Sequence, residues 1–325
     1  MHGTGIATSR SIAIIGAGIS GLSCASALLA QGHRLTLFDK GRGPGGRMST
    51  RRFETPLGET LADHGAQYFT ARDPAFLEEV LRWESAGIAT RWPDVSADAW
   101  VGLPTMNNIV RHLAQGFDVH WNSRIDGLSR TETGWSVTGV DDDQAEYHAV
   151  VLAIPSEQAV TFLAHHDFDM VRKAMLARFQ PCWTAIYAFE GILPMALPFL
   201  RDRGPIGWAV RELAKPGRSG MERWVVQANA SWSAEHLNMP ADDVADQLFL
   251  ALQSELGETL PVPIARSTHR WRFAMSSGLD AGSLWNPSLG LGVCGDWMLG
   301  PRIESGWLSG HHLARSIAAA RQVVA

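Results

Sequence analysis

Lysine and cysteine are nearly missing from this 325-residue chain. Only Lys40, Lys173 and Lys215 occur among 28 basic residues, the others being arginine, a bias that genomic base composition accounts for. Cys24, Cys182 and Cys294 have neither metal-ligand nor CxxC spacing, and they suit a reducing compartment as small buried apolar residues. No run of about 18 apolar residues suggests a membrane span. The start, "MHGTGIATSR", lacks the basic segment and apolar stretch of a signal peptide. A net charge of −5 gives no electrostatic reason to expect nucleic acid or an anionic membrane as partner. The His165-His166 and His311-His312 pairs lack the spacing and acidic partners of a metal site, so no metal is expected. Neither a GxSxG nor a Cys-His arrangement offers a nucleophile. There is no internal repeat or low-complexity linker. The expectation is a cytoplasmic protein whose 46% hydrophobic residues bury a sizeable core, longer than one average domain and shorter than three.

What is present begins at Ser11. The apolar run Ser11–Ile15 leads into "GAGISG", residues 16–21, and Leu22, Ala25, Leu28 and Leu29 follow at helical spacing before "HRLTLFDKG". This reads as strand, tight turn, helix, strand. Gly16 permits the turn, Gly18 lets phosphate approach the backbone, and Gly21 lets helix and strand pack closely. Ile19 and Ser20 then open the helix whose N-terminus meets a pyrophosphate. Asp39 ends the second strand, 23 residues after Gly16, where an acid accepts hydrogen bonds from ribose hydroxyls; Lys40 follows it.

A nicotinamide enzyme would continue with helix and strand. Here the chain enters "GRGPGGRMSTRR", residues 41–52, with Gly46 and Arg47 at its centre. Clustered glycines free backbone N–H groups for an anion and an arginine adds a charge-assisted contact, a second phosphate cradle that fits FAD. Arg51 and Arg52 read as surface residues or ion pairs. Next comes "ADHGAQYFTARDP", in which His64, Gly65, Ala66, Gln67 and Tyr68 join small residues to an amide and aromatic rings. Such a turn can run under an isoalloxazine ring.

Together these segments resemble the flavin amine oxidase superfamily and, within it, the renalase-like proteins. The resemblance rests on "IAIIGAGISGLSCASALLAQGH", "FDKGRGPGGRMSTRR" and "ADHGAQYFTAR", and continues through "WVGLPTMNNIVRHLA", "THRWRFA" and "GVCGDWMLGPRIESGWLSG". It implies an α/β fold: a Rossmann-type FAD-binding domain of residues 1–69, 102–155 and 286–325, and an α+β substrate domain of residues 70–101 and 156–285. The middle of the chain is compatible. "GLPTMNNIVRHLAQ" reads as a turn and amphipathic helix. The stretch 119–139 reads as a β-meander with polar turns at Thr131–Gly134 and Asp141–Gln144, and 149–155 as a buried strand. Beyond Ser156, helical stretches (157–163, 242–256) alternate with β-like ones (183–189, 223–228, 264–272). Tryptophans including Trp183, Trp208, Trp224, Trp232 and Trp271 suit a core and a pocket for a flat ring.

The resemblance also implies how the C-terminus is used. The strand "LGLGVC", 289–294, returns to the nucleotide domain. Asp296 contacts the ribityl or phosphate region, and the last helix, opening with Ile303, Glu304 and Ser305, points its N-terminus at the flavin N1–C2=O edge. Such a helix end stabilises negative charge by roughly 0.3–2 kcal/mol. The backbone near Ile125 touches the adenine. FAD is expected to be non-covalent, with O2 as electron acceptor and a small molecule with a planar ring as substrate. The implied reaction takes hydride from 2- or 6-dihydro isomers of NAD(P) and yields NAD(P)+ and H2O2. His64, Tyr68 and His269 are the candidate catalytic side chains, although a hydride donor that becomes aromatic requires no side-chain base. Amine oxidation is the alternative; no lysine falls in the strand around "THRWRFA" to support it. A flavin-binding redox sensor or assembly partner without turnover is the reading from another class.

Overall fold

The computed structural model describes residues 9–139, 145–194, 197–257 and 259–322. The start of the N-terminal segment and the turn expected at 141–144 fall outside them. The chain divides into two compact units, Met1–Gly46 with Val110–Arg178 and Ser277–Ala325, and Arg47–Ile109 with Phe179–Ser276.

The first unit is built on a six-stranded sheet ordered Leu284–Asn286, Leu291–Val293, Ala149–Leu152, Ser11–Ile15, Arg34–Phe38, Val119–His120. All its pairings are parallel except the edge pair Leu284–Asn286/Leu291–Val293. Central parallel strands are covered on both faces and therefore read as unbroken apolar runs. Ile12, Ala13, Ile14, Val150, Val151 and Leu152 are fully buried. Helix Ile19–Ala30 follows the first strand and closes at Gly32, whose φ of 81° lets the chain reverse. The C-terminal helix Ile303–Gln322 lies against it. A Cβ on Gly310 would stand 2.3 Å from the Ser20 carbonyl oxygen, so the two backbones touch where only glycine allows it. Among the described residues no helix is long and apolar enough to cross a membrane.

The second unit holds an antiparallel sheet ordered Phe199–Arg203, Ile206–Arg211, Glu222–Ala228, Phe179–Phe189, Ala265–Ser276. Residues on the two faces of a strand alternate. One face is apolar: Ala185, Tyr187, Ala209 and Val226 pack against Val244, Ala245, Leu248 and Leu252 of helix Ala241–Leu256. The Tyr187 hydroxyl donates to the Ala245 carbonyl at 2.6 Å. The remainder is the hairpin Thr50–Thr55/Gly58–Asp63, helix Pro74–Ser85 and a small sheet of Phe69–Thr70, Ala99–Gly102 and Ala89–Arg91.

The units differ from the division expected from sequence. Residues 47–69 and 102–109 belong with the second unit, because the hairpin ending at Asp63 and the turn after it bond to residues 212–227. Residues 156–178 and 277–285 belong with the first. There His166 reaches the Leu128 carbonyl, and Asn286 donates to Asp167 at 2.7 Å. The expected meander is two things. Val119–His120 pairs with the parallel sheet, whereas Gly127–Arg130 and Trp135–Thr138 form a separate hairpin around the Thr131–Gly134 turn. Arg51 and Arg52 lie on a strand, and Arg52 makes an exposed ion pair with Glu59 at 3.3 Å.

Candidate functional site

In the first unit the three glycines of the opening turn divide the work. Gly16 has a φ of 104°, and a Cβ there would meet the Ala153 carbonyl oxygen at 2.4 Å. A Cβ on Gly21 would stand 1.9 Å from the Gly16 oxygen. Gly18 faces no heavy atom within 4 Å, so the space its missing side chain leaves is open. Gly18 also gives helix Ile19–Ala30 no side-chain cap. An uncapped helix start carries free N–H groups and a partial positive charge, and the opening beside Gly18 admits a phosphate. These residues fit a dinucleotide.

Around that turn the structure gathers the other expected residues of this unit. The Asp39 carboxylate accepts from Ala17 N at 2.8 Å and from Gly41 N at 2.7 Å, so it ties the first glycine turn to the second. Gly46, at φ 53°, has its Cβ position 4.0 Å from Gly18 Cα. Lys40 extends to Gln158 at 3.2 Å. Ile125 is buried in the loop after Val119–His120. A Cβ on Gly306 would meet Ile19 Cγ2 and Ser20 Oγ at 2.9 Å and Asp296 Cβ at 3.9 Å. Thus Ile303, Glu304 and Ser305, which open the C-terminal helix, stand with Asp296 beside the start of the first helix. Glu304 is buried, and its carboxylate accepts from Arg302 at 2.7 Å. A hydrogen bond to Cys294, together with burial, raises Cys24 well above its ordinary value.

The second unit holds Arg47, the His64–Tyr68 turn and His269. Arg47 sits in the short turn Gly46–Met48, donates to the Ala274 carbonyl at 3.4 Å and lies 5.6 Å from the Phe179 ring. Its backbone oxygen accepts from Ala66 N at 2.8 Å, and a Cβ on Gly65 would meet it at 2.1 Å. The turn therefore needs glycine at 65 for packing against its own unit.

The turn rests on one face of the five-stranded sheet. Cross-strand register places Arg201 opposite Trp208, Trp208 opposite Gln227, Gln227 opposite Thr184 and Thr184 opposite His269, one residue from every strand. Gln227 Nε2 donates to the Gly65 carbonyl at 2.7 Å, and Trp271 Nε1 donates to the His64 carbonyl at 2.9 Å. The His64 ring lies 5.0 Å from His269 and 5.1 Å from Trp271, and Tyr68 lies 5.3 Å from Trp208. Burial, with the charges of His269 and Arg51, pushes His64 down to about 3. Burial and Arg51 also lower His269. Both imidazoles are neutral at pH 7, and His64 Nδ1 has no hydrogen-bond partner among the described residues.

Behind the turn is a buried ionic cluster that the sequence reading missed. Lys215 Nζ donates to Gln67 Oε1 at 2.8 Å and Glu212 Oε1 at 2.5 Å, and lies 3.4 Å from Asp63 Oδ2. Arg218 donates to Asp63 at 2.6 Å, and Thr50 donates to its other oxygen at 2.7 Å. Burial would raise Asp63, but Lys215 and Arg218 outweigh it and hold the carboxyl below its usual range; burial and Asp63 push Glu212 up. Gln67 Nε2 donates back to the Asp63 and Gly65 carbonyls. Lys215 lies outside strand Ala265–Ser276, where the sequence reading looks for a lysine, yet it is fully buried against the candidate turn. Its only sequence signal is the charged run "RELAKPGR", which reads equally as a solvated loop.

Two family models match the chain: an NAD(P)-binding Rossmann-like domain over residues 14–82, and a flavin containing amine oxidoreductase over residues 91–318. A stretch of 53 residues, 15% of this chain, is 53% identical to a 4,4'-diapophytoene desaturase of Staphylococcus haemolyticus (strain JCSC1435), and it spans only 11% of that protein. A provisionally named protoporphyrinogen oxidase from Exiguobacterium sp. 255-15 has a similar structure, with a TM-score of 0.73 at 13% identity over 96% of this chain and 99% of the other. Cyclohexylamine oxidase from Brevibacterium oxydans IH-35A gives 0.69 at 13% identity, over 98% and 100%. At such identities the likeness is one of fold, a mixed α/β architecture of two domains, one of them Rossmann-like.

Proposed function

From the premise that this chain belongs to the flavin containing amine oxidoreductase family, we propose that it is an FAD-dependent oxidase of dihydronicotinamide isomers. In this reading 2- or 6-dihydro-NAD(P), O2 and a proton give NAD(P)+ and H2O2. Bound FAD would supply the hydride acceptor and the route of the electron pair to O2. The chain's own residues bind, orient and exclude water. The open space at Gly18 and the start of helix Ile19–Ala30 would hold the pyrophosphate, Asp39 the ribose, Asp296 the ribityl or phosphate region, and the backbone of Ile303–Ser305 the electron-rich edge of the flavin. The buried Cys24 thiol, raised well above its ordinary value, favours non-covalent attachment.

The observation that carries the substrate class is the neutrality of the two imidazoles at the end of the polar row opposite Arg201. His64 and His269 are both held uncharged, and strand Ala265–Ser276 bears no lysine. Hydride loss from a dihydronicotinamide produces an aromatic cation and requires no base, so an aromatic, uncharged face is sufficient. The face between Trp208, Tyr68 and His269 suits a planar ring.

Amine oxidation is the second reading. It is favoured by the buried Lys215 against Gln67, although Asp63 and Glu212 engage that ammonium fully. Anaerobic mixing of the FAD-loaded protein with each candidate separates the readings. Rapid bleaching of the yellow chromophore by dihydronicotinamide isomers supports the oxidase, and bleaching by primary or secondary amines alone replaces it. Bleaching by neither leaves a flavin-binding protein without turnover.

A further inference from the structure

The oxidase reading leaves one end of the polar row on the second unit's sheet without a task. At that end Arg201 extends over Trp208, its guanidinium carbon 5.0 Å from the ring centroid. Its Nη2 is 3.4 Å from the Tyr68 hydroxyl. Phe199 stacks on Trp208 at 4.9 Å and 13°, and Trp92 closes on both Phe199 and Tyr68 edge-on. Arg201 is therefore a cation resting on a built aromatic platform. Cation–π contact fixes the plane of a guanidinium while leaving its N–H edge free to donate.

Two features distinguish this arginine from an ordinary surface charge. Arg211 and Arg218 of the same unit are engaged with Glu222 and Asp63, whereas Arg201 forms no ion pair among the described residues. The groups that accompany it are donors as well: the Tyr68 hydroxyl, and the Trp208 indole N–H, which is buried and has no partner among the described residues. A charged fork, a hydroxyl and an orphaned indole N–H, with no carboxylate among them, form an acceptor-seeking site.

We propose that Arg201, with Tyr68 and Trp208, binds a phosphate group of the substrate and so makes the enzyme select phosphorylated dihydronicotinamides over the bare riboside. This rests on the oxidase reading above and extends it from the ring to the rest of the molecule. Bidentate Arg–phosphate recognition contributes affinity to the ground state and the transition state alike, so its loss appears in KM and leaves kcat in place.

The test compares the wild type with Arg201→Met and Arg201→Lys on two donors, a dihydro-NAD isomer and the corresponding dihydronicotinamide riboside, which lacks phosphate. Isothermal titration of the holoenzyme with NAD+ gives a readout independent of turnover. The expected result is a rise in KM and in the NAD+ Kd of about 10- to 100-fold for Arg201→Met. The riboside should be unaffected within about twofold, with partial recovery in Arg201→Lys, which keeps the charge and loses the fork. An equal loss on both donors, or unchanged NAD+ binding, overturns the assignment of Arg201. If the wild type oxidises neither donor, the oxidase reading fails by itself, and the NAD+ titration still decides whether Arg201 binds the anion.

Discussion

The two units build their candidate sites from different materials. In the first, the glycine turn, the helix starts and the open space at Gly18 are backbone, and side chains enter chiefly by being small. In the second, side chains do the building: Arg201, Trp208, Gln227, Thr184 and His269 come from five strands spread over about 85 residues of chain, and Lys215, Glu212 and Arg218 support a turn about 150 residues away. A backbone site tolerates exchange wherever space is open and fails where backbones touch. A side-chain site fails when one member of a charged group is removed. Each prediction below tests that contrast, beginning with the change expected to cost most.

Replacing Lys215 by Met removes the buried cation that faces Asp63, Glu212 and Gln67. Breaking a buried ion pair by deleting one partner costs about 3–5 kcal/mol, because the remaining charge is left without compensation. Urea unfolding of Lys215→Met should show a loss of that size, and Lys215→Met combined with Glu212→Gln should recover part of it. A loss below about 1 kcal/mol would mean that Arg218 alone neutralises both carboxylates.

Gly21→Ala is the corresponding test of the backbone site. The added Cβ would meet the Gly16 carbonyl oxygen at 1.9 Å, so helix and turn must separate. Forced overpacking of this kind costs about 1–3 kcal/mol. Thermal unfolding measures the loss, and absorbance of the purified protein near the flavin band should report that FAD is lost with it.

This contrast also explains what was legible in the sequence. Gly16, Gly18, Gly21 and Asp39 act through local backbone geometry, within one strand-turn-helix-strand frame, and spacing along the chain encodes that geometry directly. Asp296 and Ile303–Ser305 lie almost 300 residues further on; a resemblance, rather than spacing, brought them to the same turn. Gln227 was a signal that went unread, a lone amide among apolar neighbours in "RWVVQA" that points away from the helix-covered face. Arg201 was beyond such reading, and Trp208 stood out only as one of several tryptophans suited to a core or pocket. Their proximity follows from the register of the Phe199–Arg203/Ile206–Arg211 pair, which no local pattern specifies. Residues 47–69 cluster with the second unit for the same reason: the partners of Asp63 are Lys215 and Arg218, and nothing near Asp63 announces them.

Protonation probes the second unit without removing atoms. His64 is held down to about 3 in the fold, against an ordinary value near 6.5. The unfolded chain therefore binds a proton that the native protein refuses. Stability from this group is complete above about pH 6.5 and falls as pH drops, by up to about 1.4 kcal/mol per unit, until about pH 3. His269, also lowered, acts in the same direction. Asp63 does too, but its window lies below the ordinary carboxylate value; Glu212, pushed up by burial and Asp63, acts in the opposite direction above its ordinary value, so the comparison with His64→Phe isolates the histidine. Urea unfolding at pH 7.5, 6.5 and 5.5 should show the decline. His64→Phe should flatten it, and an unchanged slope in that variant would assign the decline elsewhere.

The smallest effect on stability separates folding from binding within the backbone site itself. Gly18 has a φ of −79° and a ψ of −174°, an extended conformation that alanine adopts without strain, and its Cβ would meet nothing within 4 Å. Gly18→Ala should therefore unfold within about 0.5 kcal/mol of the wild type. It differs from Gly21→Ala by three positions and in whether the space in front of it is occupied by protein. If that space belongs to the cofactor pyrophosphate, the methyl group displaces a phosphate rather than a carbonyl. The variant should then fold normally and bind added FAD at least tenfold more weakly, as measured by fluorescence titration of the apoprotein. Wild-type FAD affinity in Gly18→Ala would show that the opening beside this glycine is surface, and the case for a phosphate cradle there would fall while the fold stood unchanged.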